Sequence, residues 1–100
     1  MTTIFFKRAG GFVGHGMRLQ VNLDELPVQY AQSLIGLIEQ AGFFDLPENF
    51  IHRFNPDEFQ YTITVDTDEV CHTVRASDST MPASLRPLVN QLSVLKSLSG

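Results

Sequence analysis

The chain has 100 residues, enough for one domain with a single core and little beyond it. Apolar residues make up 43% and charged residues 18%, the balance of a folded globule and not of a disordered tail. A net charge of −4 with no Lys/Arg run argues against nucleic acid, and no apolar stretch approaches a membrane span. One cysteine, Cys71, cannot form an intrachain disulfide, which favours a reducing cytoplasm. The N-terminal apolar run is too short for a signal peptide, and its basic pair, Lys7-Arg8, lies on the wrong side. The expectation is one cytoplasmic domain over residues 1–100, free of repeats and linkers.

Residues 3–7 read as a first strand. Residues 9–16 follow, with Gly10, Gly11, Gly14 and Gly16 enclosing Phe12 and Val13. A hairpin needs only about two to five connecting residues, so this loop exceeds what closure requires. A glycine-rich loop with an apolar tip suits insertion into a partner's cleft; the competing reading folds Phe12 back onto the sheet. In the second strand Met17, Leu19, Val21 and Leu23 alternate with Arg18, Gln20 and Asn22, the pattern of a half-buried antiparallel strand.

Asp24, Glu25 and Pro27 mark a helix start. Ala31, Leu34, Ile35, Ile38 and Ala41 then form an apolar stripe over residues 27–41, and Gly42 stops it. Phe43 and Phe44 read as a plug beneath the loops, followed by an irregular stretch to Pro56. Phe59, Tyr61, Ile63 and Val65 alternate inward in a third strand, residues 66–68 turn, and residues 69–75 form a fourth. Ser77, Asp78, Ser79 and Thr80 before Pro82 supply caps for a last helix whose apolar face is Leu85, Leu88, Val89, Leu92 and Leu95. Pro87 predicts a distorted first turn or a restart.

The order β-β-α-β-β-α predicts an α+β fold, a four-stranded antiparallel sheet with two helices packed on one face. Tracing strand directions then places the 9–16, 43–56 and 76–81 segments at one end of the sheet, where function on such a scaffold lives.

Five segments in this order, Arg8-Ala9-Gly10-Gly11-Phe12, Ala41-Gly42-Phe43-Phe44-Asp45-Leu46-Pro47, Tyr61-Thr62-Ile63-Thr64-Val65, His72-Thr73-Val74-Arg75-Ala76-Ser77-Asp78 and, after Pro82, Leu85-Arg86-Pro87-Leu88, resemble the emfourin-like proteins. The resemblance covers nearly the whole chain. It implies a cytoplasmic, non-enzymatic protein inhibitor of thermolysin-family zinc metallopeptidases, the protealysin-like enzymes in particular, acting through flexible loops in the active-site cleft.

Such an enzyme holds zinc with three protein ligands and leaves a fourth position open beside apolar subsites. An inhibitor can block both with a metal-directed group and an apolar plug. Gly10, Gly11, Phe12, Val13 and His15 supply the loop, while Asp78 and Ser79 supply the facing segment. Asp78 reads equally as zinc-directed or as a helix cap, a task that Ser79 and Thr80 can also perform. His15, Asp45, Glu48 and Asp57 are rival metal-directed groups.

His72, between Val70 and Val74, reads as a hydrogen-bonded sheet histidine, and Cys71 points to the opposite face. No zinc site of the chain's own, no cofactor motif and no nucleophile–base pair emerges, and the glycines lack the Lys-Ser/Thr of a phosphate loop. The expected partner is a thermolysin-like metallopeptidase met by a free monomer; the alternative is a non-inhibitory protein-binding module using the same loops.

Overall fold

The computed structural model describes residues 1–10, 16–51 and 57–98, with side chains through Lys96. Strands β1 (Thr3–Gly10), β2 (Met17–Asn22), β3 (Phe59–Asp66) and β4 (Cys71–Ser77) form one antiparallel sheet in the order β2-β1-β3-β4. Helices α1 (Val28–Ala41) and α2 (Arg86–Leu98) complete the two-layer α+β fold. Period-two alternation turns Ile4, Phe6, Val21, Tyr61, Ile63, Val65 and Val74 inward, where they meet Leu34 and Ile38 of α1 and Leu88, Val89 and Leu92 of α2 in one core. The alternate residues, Phe5, Lys7, Arg18, Gln20 and Arg75 among them, stay exposed on the opposite face.

Several boundaries differ from the expectation for local reasons. Asp24 and Glu25 belong to a separate 3-10 turn, Leu23–Glu25, where the Asn22 side chain accepts the Asp24 N–H at 3.0 Å. The helix starts only after Pro27. It ends at Gly42, whose φ of 62° is left-handed and whose N–H bonds the Glu39 carbonyl at 3.0 Å, a conformation that favours glycine. Ile35 lies at the margin of the apolar stripe, 45% exposed. The turn before β4 runs to Val70, because the Thr67 N–H bonds the Val70 carbonyl at 2.8 Å and the Thr67 hydroxyl accepts the Glu69 and Val70 N–H groups. Helix α2 starts at Arg86, after a further turn in which the Leu85 N–H bonds the Pro82 carbonyl at 3.0 Å. Pro87 then occupies the second helical position, where a missing N–H leaves no bond unmade.

The path of α1 corrects the expected position of one connecting segment. Its start lines a groove with Leu19 and Val21 of β2 and Leu95 of α2, while Ile38 and Glu39 near its end lie beside Thr2, Val65 and Thr67. The helix therefore crosses the sheet toward the end holding the β3–β4 turn and does not climb back to the opposite end. Phe43 is buried there and packs edge-on against His72, with ring centroids 5.6 Å apart, while Phe44 is 39% exposed. Both rings therefore lie at the end of the sheet opposite Gly10 and Met17, not beneath the strand ends from which the 9–16 segment leaves. The chain then runs alongside β4: His72 Nε2 donates to the Leu46 carbonyl at 2.8 Å, the Arg75 N–H donates to Glu48 and the Phe50 N–H to Arg75. A parallel bridge joins Asn49 to Arg75. Among the described residues no helix is long and apolar enough to cross a membrane.

Candidate functional site

The end of the sheet opposite the β3–β4 turn gathers Gly10, where β1 stops, Phe59, where β3 begins, and Ser77, where β4 stops. Gly10 faces Phe59 across the ladder. Its φ is +80°, and a Cβ there would come within 3.0 Å of the Glu58 carbonyl oxygen, so both backbone shape and space favour glycine. Gly16, exposed, leads into β2. The roots of the 9–16 loop and of the 77–81 segment thus share one end, separated by a single strand.

Asp78 ties that end together. Its N–H donates to the Phe59 carbonyl at 3.1 Å, as a continued ladder would require. The chain turns at Asp78, so its own carbonyl is unable to complete the reciprocal bond; that carbonyl accepts Arg86 Nη2 at 3.2 Å instead. The Asp78 carboxylate substitutes for it, with Oδ2 accepting the Phe59 N–H and Oδ1 accepting the Tyr61 hydroxyl, both at 2.9 Å. Arg86 Nη1 lies 3.9 Å from the same Oδ1. Burial pushes the Tyr61 hydroxyl above its ordinary pKa, and the hydrogen bond to Asp78 and the carboxylate's charge add to that shift; Arg86 and Arg8 oppose it.

Glu58 caps the neighbouring turn, its Oε1 accepting the Ser79 N–H at 2.8 Å. Thr80 Oγ1 accepts the Ser77 N–H at 2.9 Å, and the Ser77 carbonyl accepts the N–H groups of Thr80 and Met81. The hydroxyls of this segment close their own turn and leave α2 uncapped by them. Beneath the β1 end, the Arg8 guanidinium lies 4.4 Å from the centre of the Phe59 ring, and the Phe59 and Tyr61 rings are 6.4 Å apart.

Of the residues the sequence singles out, Gly10, Asp78 and Ser79 occupy this end. Gly11, Phe12, Val13 and His15 lie outside the described residues. Asp45 sits in the turn after α1, near the far end, Glu48 lies along β4, and Asp57 precedes β3. His72 is engaged by Leu46 and the two phenylalanine rings. Sequence reasoning missed Arg8, Glu58, Phe59, Tyr61 and Arg86 as the frame of the site. One signal was available: Arg8 continues the inward alternation of Ile4 and Phe6, and an inward arginine at a strand end needs partners. Among the described residues no three His, Cys, Asp or Glu side chains converge to hold a metal.

The chain matches no curated protein and no solved structure. The Emfourin family model matches residues 6–93, a span that takes in β1 from Phe6 onward, the whole of β2, α1, β3 and β4, and the first two turns of α2. The chain accordingly belongs to the Emfourin family, and its membership carries the role of a metallopeptidase inhibitor.

Proposed function

We propose that this chain, as a cytoplasmic monomer, inhibits a thermolysin-like zinc metallopeptidase of the protealysin kind by occupying its active-site cleft. The observation that carries the reading is the shared position of the two segment roots, Gly10 and Asp78, at one end of a sheet where the Asp78 carboxylate ties Phe59 and Tyr61 together. Fixing where the two segments leave the sheet spares part of the order that binding costs, which is one way a small inhibitor gains affinity. In this reading Gly10 and Gly11 let the tip depart, Phe12 and Val13 fill an apolar subsite, and His15, Asp78 and Ser79 border the metal.

Asp78 serves this reading in two ways. It positions the end through Phe59 and Tyr61, and its side chain is 37% exposed. A carboxylate offers about four lone-pair sites, so two hydrogen bonds leave sites free for the zinc of the target. The test is direct. The pure chain is mixed with thermolysin and a small peptide substrate, and turnover is expected to fall to zero near an equimolar ratio. Unaltered turnover at large excess, with thermolysin and with a protealysin-like enzyme, removes the proposal in favour of a binding module that leaves the protease active.

A further inference from the structure

The strand order aligns three cations that lie far apart in sequence. Arg18 faces Lys7, Lys7 faces Thr62, and Thr62 faces Arg75, so one transverse row of the helix-free face reads Arg18-Lys7-Thr62-Arg75. With strands about 4.8 Å apart, Lys7 lies about 5 Å from Arg18 and about 10 Å from Arg75. All three cationic side chains are exposed. The ion pairs Met1–Asp68 and Arg86–Asp78 involve none of the three. Phe5, 40% exposed, lies one row away on the same face and lines a depression of about 440 Å³ with Lys7, Arg18, Thr62 and Thr64.

Two features give the row its meaning. Like charges placed directly opposite on neighbouring strands destabilise a sheet, so folding alone disfavours the arrangement. The chain as a whole carries −4, yet it holds three of its seven Lys/Arg residues in this one row. Charge complementarity therefore selects an acidic partner surface. The row also lies three residues from Gly10, at the base of the 9–16 loop. A stable interface buries about 800 Å² on each partner, more than a short loop provides, so a protein receiving the loop must also cover adjoining surface.

We infer that the Arg18-Lys7-Arg75 row, with Phe5 beside it, is a second docking surface that engages an acidic patch on the same metallopeptidase that takes the loop. This rests on the inhibitory reading above. The row attracts the acidic patch at long range and orients the encounter, and the loop then enters the cleft. Such steering acts on the rate of association and weakens as salt screens it.

The experiment compares the wild type with Lys7→Gln/Arg18→Gln/Arg75→Gln, following inhibition of thermolysin over time at about 20 mM and about 500 mM salt, where screening differs strongly. The triple variant is expected to fold with an unchanged or raised melting temperature. Its association rate at low salt should fall at least about tenfold, and most of the salt dependence should disappear, with the dissociation rate nearly unchanged. Arg18→Lys/Arg75→Lys, which keeps the charge, should retain the wild-type rate. An association rate and salt dependence equal to wild type in the triple variant overturns the proposal. So does binding of the wild type to phosphatidylserine vesicles or duplex DNA that is as tight as to the enzyme and is lost in the triple variant. If the wild type leaves both enzymes of the preceding test untouched, the inhibitory reading fails separately. The row is then decided by a labelled glutamate-rich helical peptide, whose binding must vanish in the triple variant and in a glutamine version of the peptide.

Discussion

Asp78 returns to Phe59, through its side chain, the hydrogen bond that its turning backbone withholds: the Phe59 N–H meets Oδ2 at 2.9 Å while the Asp78 N–H meets the Phe59 carbonyl at 3.1 Å. The β3–β4 ladder thereby gains one more rung than its backbone alone supports. The Tyr61 hydroxyl on Oδ1 fixes the carboxylate in that pose.

Asp78→Asn leaves one carboxamide oxygen for two donors and removes the charge. Stability should drop by about 1–2 kcal/mol, the lower part of the range for bonds to charged groups because the side chain is partly exposed. Urea denaturation checks this. Inhibition should weaken by more than that stability loss explains when assayed where the variant is still fully folded. A loss of stability with full inhibitory strength confines Asp78 to positioning.

Gly10→Ala and Gly36→Ala should have opposite signs. At Gly10 the added methyl meets a backbone oxygen at a left-handed φ, and the strain should cost about 1–3 kcal/mol. At Gly36, inside α1, a Cβ meets nothing within 4 Å, and the helix should gain about 0.5–1 kcal/mol. Denaturation midpoints measured side by side decide the pair.

Tyr61 predicts a loss of stability at alkaline pH. Its folded pKa lies above the unfolded value of 10.0, so the folded state holds the proton more tightly. The resulting stabilisation is complete below pH 10.0 and disappears as pH rises through the folded pKa. Tyr61→Phe lacks this contribution. The stability difference between wild type and variant should therefore shrink with rising pH above that point, as read from denaturation midpoints.

Phe12→Ala should leave the melting temperature nearly unchanged and weaken inhibition at least about tenfold, as expected for an aromatic anchor in a partner's pocket. A loss of about 3–5 kcal/mol of stability would instead place Phe12 in the core.

Local pattern reached the four strands and both helices, because period-two and period-three-to-four alternation are written in neighbouring residues: Phe59, Tyr61, Ile63 and Val65 announce β3, and Leu88, Val89 and Leu92 announce α2. It also reached Gly10 and Asp78 as residues of one sheet end. It did not reach the direction of α1, since an apolar stripe fixes which face is buried and not the angle at which the helix crosses the sheet; that is why Phe43 and Phe44 lie beside His72 and far from the loops. The Asp78–Phe59 pair depends on a register set by the turn at Thr67–Val70, and the cation row depends on β1 lying between β2 and β3. Both are long-range facts that no window of neighbouring residues contains.

Residues 46–50 lie along β4 and bridge to it at Asn49, so on that flank the backbone N–H and carbonyl of Arg75 are already taken by Glu48 and Phe50. Stacking sheets side by side without limit needs two adhesive flanks per molecule. An incoming strand would have to displace residues 46–50 before it could pair through Arg75, so this flank is blunted against the open-ended stacking that a fibre requires.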